Sequence, residues 1–192
     1  MKKRGTQSGL TTSREAAPSP ETPGWREELA NSVSHGVGLM AALVAVPVLI
    51  VVAARRGEAA GIVGASVFGG TLILLFLAST LYHGLPGERA KRVFKVLDHQ
   101  AIYLLIAGSY TPFMLGALRG AWGWALLSLV WAIAVAGVVL KGVGRIRRPA
   151  LSTGLYLAMG WMLVVAARPL LLHVPAWVMM PMVFCASLLP WE

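Results

Sequence analysis

The sequence predicts an all-α fold, a bundle of helices that crosses a membrane several times. Of its 192 residues, 57% are hydrophobic and only 13% are charged, whereas an ordinary soluble domain carries about 25% charged residues. So few charges cannot cover a water-facing surface, which excludes a soluble enzyme. The single cysteine, Cys185, excludes a disulfide-stabilised scaffold.

Long windows without any Lys, Arg, Asp or Glu are the second observation. Each is long enough for about 20 predominantly apolar residues, the length of a membrane-spanning helix, and none shows the polar–apolar alternation of a transmembrane β-strand. The windows are 32–54, 59–87, 99–118, 120–140, 149–167 and 169–191. They predict six helices, near 34–54, 59–83, 98–118, 122–140, 152–171 and 174–189.

The first 24 residues differ from the rest of the chain. They are rich in Ser, Thr, Pro and Gly and contain no apolar run, so they have no surface with which to join a folded core. A secretory signal would need an apolar stretch after its basic start. We therefore expect a disordered tail over 1–24 and a transmembrane bundle over 25–192.

The distribution of basic residues predicts the orientation. Thirteen Lys and Arg lie in the amino-terminal segment up to Arg26 and in the loops 84–97 and 141–151, whereas four lie on the opposite side, at Arg55, Arg56, Arg119 and Arg168. By the positive-inside rule the amino terminus is cytoplasmic. This orientation also explains the net charge of +9 without a nucleic-acid partner.

Seven polar residues lie near the ends of the first three predicted helices that face the cytoplasm. They are Glu27, Asn31, His35, Ser79, His83, Asp98 and His99. The spacing of four residues within the first three, and again between Ser79 and His83, places each set along one helix face. Two interpretations remain open: ionisable groups near a membrane helix are functional candidates, but helix capping by Asp98 and snorkelling histidines would look the same.

The residue types in this set suit metal-assisted hydrolysis. His83 can offer an imidazole nitrogen to zinc, and Asp98 can accept a hydrogen bond from a metal-bound water or act as a general base. Ser79, one turn before His83, can donate to developing oxyanion charge. One His–Asp pair is a poor metal signal without two further ligands.

Three segments resemble the motifs of a known family. EELANSVSHGVG, FLASTLYHGLPG and LDHQAIYLLIAGSYTPF are similar to the first three motifs of the hemolysin III family, which is grouped with the progestin and adipoQ receptors, including the adiponectin receptors. The resemblance covers about residues 25–161. It implies a seven-helix bundle with a cytoplasmic amino terminus and a distant similarity to alkaline ceramidases.

The resemblance also implies roles for particular residues. Ser79 and His83 match an S-x3-H motif whose histidine is a zinc ligand, and Asp98 matches the aspartate that holds the zinc-bound water. Glu27, Asn31 and His35 match the first motif, to which the resemblance gives no defined role. His99, beside Asp98, and His35 are the remaining nearby imidazoles.

The carboxyl-terminal part departs from the family pattern. The family has an H-x3-H pair on its seventh helix that supplies two more zinc ligands, but the histidines of this sequence are His35, His83, His99 and His173. We interpret this difference as a carboxyl-terminal truncation or a frame change after Leu171, with six of seven spans present. The expected consequence is weak or absent zinc binding.

The resemblance implies three alternative functions. The first is a zinc-dependent, ceramidase-like hydrolase acting on a lipid amide or ester, or a role in membrane homeostasis. The second is a pore-forming, cytolytic membrane protein, although the predicted helices are apolar except at one end. The third is a receptor-like binding bundle. All three have the lipid bilayer as a partner, and the sequence does not determine the oligomeric state.

Overall fold

The computed structural model describes residues 24–145 and 149–171. At Pro149 and over 163–171 it describes the backbone alone. Five helices occupy this part of the chain, and no strand occurs within it. They are α1 (Trp25–Arg55), α2 (Ala59–Gly84), α3 (Glu88–Gly116), α4 (Ala121–Gly142) and α5 (Pro149–Leu171). The all-α prediction is confirmed. The predicted tail 1–24, except for Gly24, and the predicted sixth helix 174–189 lie outside the described residues.

Three of these helices have the length and composition of membrane spans. They are α1, α2 and α4. Large apolar side chains cover their outer surfaces, as at Val44, Val63 and Val139, which are 68%, 49% and 53% exposed. Such surfaces are stable against lipid and costly against water. The chain is therefore a helical membrane protein.

The first helix begins earlier than its apolar window. At 1.5 Å per residue, the 31 residues of α1 extend about 46 Å, which exceeds a hydrocarbon layer of about 30 Å. The predicted start at residue 34 is where the apolar segment starts, but the helix itself starts at Trp25. Glu27 and Glu28 lie in its first turn, where negative charge stabilises the helix dipole.

The third helix differs from its prediction in the same way. The predicted loop 84–97 is wrong for residues 88–97, because α3 begins at Glu88 and only Leu85–Gly87 connect it to α2. Residues 88–97 carry too many charges for hydropathy to identify them as part of a membrane span. They nevertheless belong to the continuous helix α3. Asp98 therefore lies well inside α3, which excludes the interpretation of its carboxylate as a helix-start cap.

The helices pack in chain order around α3. Helix α1 packs on α2, α2 packs on α3, and α3 also contacts α4 and α5. Tyr103, Ala107, Tyr110 and Met114, at helical spacing on α3, are at most 3% exposed. They form the centre of a core with Val130 of α4 and side chains of α5.

Tyrosine hydroxyl groups tie α3 and α5 together. Tyr110 donates to the carbonyl oxygen of Met159 at 2.7 Å, and Tyr156 donates to the carbonyl oxygen of His99 at 2.8 Å. The hydroxyl groups of Tyr103 and Ser152 lie 3.1 Å apart. Hydrogen bonds of this kind between helices stabilise membrane bundles, since lipid offers no competing partner.

Small residues on α2 allow its neighbours to approach closely. A Cβ atom added to Gly64 would lie 2.7 Å from the Cα atom of Pro112 on α3, so only glycine fits at this contact. A Cβ atom added to Gly69 would clash with the Val46 side chain of α1, whereas a Cβ atom added to Gly70 would meet no atom within 4 Å. Gly64 and Gly69 thus mark the close contacts of α2 with α3 and α1.

Candidate functional site

One face of α1 directs three polar side chains towards the carboxyl end of α2. Glu28, Ser32 and His35 lie on this face at spacings of four and three residues, which one side of an α-helix brings together. The Ser32 hydroxyl group donates to the carbonyl oxygen of Thr80 at 3.2 Å. This contact fixes the register of the two helices where the cluster forms.

Glu28 joins α1 to both of the following helices. Its Oε2 atom lies 3.0 Å from Nδ1 of His83, and its Oε1 atom lies 2.9 Å from Nζ of Lys91, in the first turns of α3. The side chains of Glu28 and His83 are each 15% exposed. The carboxylate therefore holds the His83 ring in one orientation, since a charge-assisted contact at low exposure is strong.

His35 lies beside His83 and lacks a hydrogen-bond partner at one ring nitrogen. The two rings are nearly parallel, with centroids 6.1 Å apart and planes 10° apart. Nδ1 of His35 is buried without a hydrogen-bond partner in the described part of the chain. An orphaned buried polar atom is costly, so this atom is a candidate ligand donor.

Asp98 completes the cluster from α3. Its side chain is 15% exposed, and it lies within electrostatic range of His35. Ser79, one turn before His83 on α2, is 3% exposed. His35, Ser79, His83 and Asp98, which we call the polar cluster, thus come from three helices and lie at one end of the bundle.

The remaining predicted site residues are placed differently. Glu27 and Asn31 are exposed on α1. Nδ1 of His99 lies 2.7 Å from the carbonyl oxygen of Lys95 and 3.8 Å from Asp98. Its own carbonyl oxygen accepts from Tyr156 of α5, on the far side of α3 from α1.

Comparisons with known proteins identify the family of the chain. The sequence matches the family described as Haemolysin-III related over residues 24–189. The chain belongs to this haemolysin-III family. It is 44% identical over 145 residues to the Hemolysin-3 homolog of Bacillus subtilis (strain 168), covering 76% of this chain and 68% of that protein. It is 43% identical over 145 residues to the Hemolysin-3 of Bacillus cereus, covering 76% of this chain and 66% of that protein. No solved structure matches the chain.

Glu28 is the site residue of this haemolysin-III chain that the sequence reasoning missed. The pattern of spacings favoured Glu27, which is four residues before Asn31. The signal for Glu28 lies further along α1, where Ala42 is buried against the bundle. The residues seven and fourteen positions before Ala42 are His35 and Glu28. Seven residues are close to two helical turns, so these positions share a face.

The zinc that the family resemblance implies needs several donors. A catalytic zinc site has three protein ligands and a water, and a structural site has four. Within residues 24–145 and 149–171, no three His, Cys, Asp or Glu side chains converge on one point that could hold an ion. The described residues of the haemolysin-III chain thus fit part of a zinc site: the His83 ring and the orphaned Nδ1 of His35, beside Asp98. His173 lies outside them.

Proposed function

We propose that this haemolysin-III protein uses the polar cluster to hydrolyse an amide or ester bond of a membrane lipid. The supporting observation is that His35 and His83, with stacked rings, lie at the same end of an otherwise apolar bundle as Asp98 and the buried Ser79. Ionisable groups are costly near lipid, so four polar residues from three helices at one site favour a chemical role over incidental placement.

Asp98 is the general base in this proposal. The oxygen atom of a water molecule bonds to the acyl carbon while Asp98 accepts its proton. The bond from the acyl carbon to the amine or alcohol then breaks, and Asp98 returns the proton to that leaving group. The Ser79 hydroxyl group donates to the acyl oxygen as negative charge develops on it.

Glu28 and the histidines would prepare the cluster for a metal ion. When bound, zinc supplies polarisation of the acyl carbonyl group and activation of water. Glu28 keeps a proton on Nδ1 of His83, which leaves Nε2 as the ligand atom, the usual arrangement of a carboxylate behind a metal-bound histidine. His35 would add a second nitrogen, and further donors would come from outside the described residues.

The proposed orientation places this site at the cytoplasmic face of a bacterial inner membrane. Lys91, Arg92 and Lys95 lie on the turns of α3 that project past Asp98, at the same end as Glu28. Basic residues beside membrane spans remain in the cytoplasm. The lipid substrate would thus be taken from the cytoplasmic leaflet.

The test is hydrolysis in liposomes with excess zinc by the chain extended with a seventh helix that carries the H-x3-H pair implied by the resemblance, since the 192-residue chain alone is expected to bind zinc weakly. The liposomes carry either a fluorescent ceramide or a fluorescent phospholipid ester. We expect the unsubstituted protein to release the fluorophore. Release should be abolished by Asp98→Asn and His83→Ala, and it should be unchanged by Ser128→Ala, a change at an exposed serine of α4. Failure to cleave both lipids, with zinc supplied and the helices intact by circular dichroism, would reject the proposal.

The names of the relatives support a second candidate, a cytolytic membrane protein. They are Hemolysin-3 homolog and Hemolysin-3. Dye release from the same liposomes tests this function. Equal dye release by the wild type and His83→Ala, without lipid cleavage, would favour cytolysis. Saturable lipid binding with neither cleavage nor release would favour a receptor-like bundle.

A further inference from the structure

A cavity lies at the end of the bundle opposite the polar cluster, between α1, α2 and α3. Its volume is about 550 Å³, which lies within the range of roughly 300–1,000 Å³ for small-molecule sites. Its walls are apolar, with Leu49 and Val52 from α1, Phe68 from α2 and Phe113 from α3. Arg56 and Glu58 lie at its charged end.

The cavity exists because α2 has small residues where it faces α1 and α3. Gly61 and Ala65, one turn apart, line the cavity. The same wall is open to the surroundings, since Leu49 is 46% exposed and Val52 is 44% exposed. In a membrane, these exposed faces lie against lipid tails, so a lipid chain can enter from the side.

The two charged residues of the cavity differ in their partners. Glu58 is engaged by Arg119, with Oε2 and Nη2 2.5 Å apart. The Arg56 guanidinium has no carboxylate partner among the described residues, and it follows the last turn of α1. The cavity therefore combines a long apolar wall with one uncompensated cation at its end.

We propose that this cavity binds an acyl chain of an anionic phospholipid, with the lipid phosphate on Arg56. Guanidinium groups bind phosphate through paired hydrogen bonds. Arg56 follows directly on an apolar span, at the level where lipid headgroups lie. A zwitterionic headgroup carries its own ammonium group, which would compete with Arg56 for the phosphate. The bilayer supplies such a lipid at this position, and the proposal does not rest on the hydrolase function.

Native mass spectrometry of the full chain tests the proposal with three probes. They are phosphatidylglycerol, phosphatidylethanolamine and oleate. We expect one phosphatidylglycerol bound in preference to the other two. Arg56→Gln should weaken this binding by roughly tenfold or more, as expected for loss of hydrogen bonds between charged groups. Arg55→Gln is the matched control, because Arg55 is the neighbouring exposed arginine and does not line the cavity.

A second variant tests the apolar part of the cavity. Ala65→Phe places a large ring in the space between the helices while leaving Arg56 unchanged, and it should abolish the binding of phosphatidylglycerol. Equal weakening by Arg55→Gln and Arg56→Gln would overturn the proposal, because surface charge alone would then explain binding. Equal binding of phosphatidylethanolamine, or tighter binding of oleate, would overturn it as well. If Ala65→Phe does not fold, the comparison of Arg55→Gln with Arg56→Gln still tests the proposal.

Discussion

Nδ1 of His83 lies 3.0 Å from Oε2 of Glu28, a residue 55 positions earlier in the chain. The contact joins the first turn of α1 to the last turn of α2, and Lys91 extends it to α3. One carboxylate thus connects three helices at the end of the bundle where the polar cluster lies. Its neighbour Glu27 has no such contact in the described part of the chain, although it belongs to the same turn.

Glu28→Ala should destabilise the protein, whereas Glu27→Ala should not. The first change removes contacts with His83 and Lys91 at low exposure, which predicts a loss of about 1–3 kcal/mol in the free energy of unfolding. The second removes an exposed carboxylate, for which changes stay within about 0.5 kcal/mol. Unfolding in mixed micelles, followed by circular dichroism, measures both. Equal losses would show that the Glu28 contacts contribute nothing specific.

Gly64→Ala should destabilise the packing of α2 on α3. The added Cβ atom would lie 2.7 Å from the Cα atom of Pro112, and backbone cannot move aside as a flexible side chain can. Overpacking of this kind costs about 1–3 kcal/mol. Gly70→Ala is the matched control, because that Cβ atom meets no atom within 4 Å and alanine favours the helix by about 0.5–1 kcal/mol. Thermal unfolding in detergent should move in opposite directions for the two variants; a shift in the same direction would contradict the packing.

The end of the bundle that carries Glu28 should face the cytoplasm. A cysteine introduced by Glu88→Cys in a Cys185→Ser background should resist an impermeant maleimide in intact cells, since Glu88 is 91% exposed but lies at this end. Ala59→Cys, in the first turn of α2 at the opposite end, should label readily. The reverse pattern would invert the orientation that the basic residues predict.

The 192-residue chain should bind zinc weakly or not at all. Structural zinc sites provide roughly 10–16 kcal/mol, and a donor set with two histidines fewer should lose most of this. A version extended with a seventh helix that carries the H-x3-H pair implied by the resemblance should bind the metal. Elemental analysis of the purified protein measures the bound zinc. Near-stoichiometric zinc that disappears in His83→Ala would contradict the prediction and show that His35 or His99 completes the site.

The sequence was sufficient for the fold class and for the helices with continuous apolar windows. Helix α2 was predicted over 59–83 and observed over Ala59–Gly84, and α4 was predicted over 122–140 and observed over Ala121–Gly142. Hydropathy failed at the polar extensions of α1 and α3, because it detects contact with lipid rather than helical structure. Residues such as Glu88 and Lys91 favour a helix in water just as well.

The polar cluster could be predicted by residue type but not fully by position. The motifs indicated His83, Asp98 and Ser79, and the helical period allowed His35 to join them. The choice between Glu27 and Glu28 depended on which face of α1 meets α2. That face is determined by packing at Ala42 and Val46, several turns away. The sequence there is apolar on every side of the helix, so hydropathy does not distinguish the buried face from the lipid-facing face.

The short Leu85–Gly87 connection has a consequence for biosynthesis. His83 and Asp98 lie on either side of it, so a hairpin of α2 and α3 is sufficient to carry both to the same end of the bundle. Contacts of such short range along the chain form early in folding. We therefore expect this half of the cluster to assemble during translation, before α4 and α5 leave the ribosome, with α1 already present in the membrane to deliver Glu28 and His35.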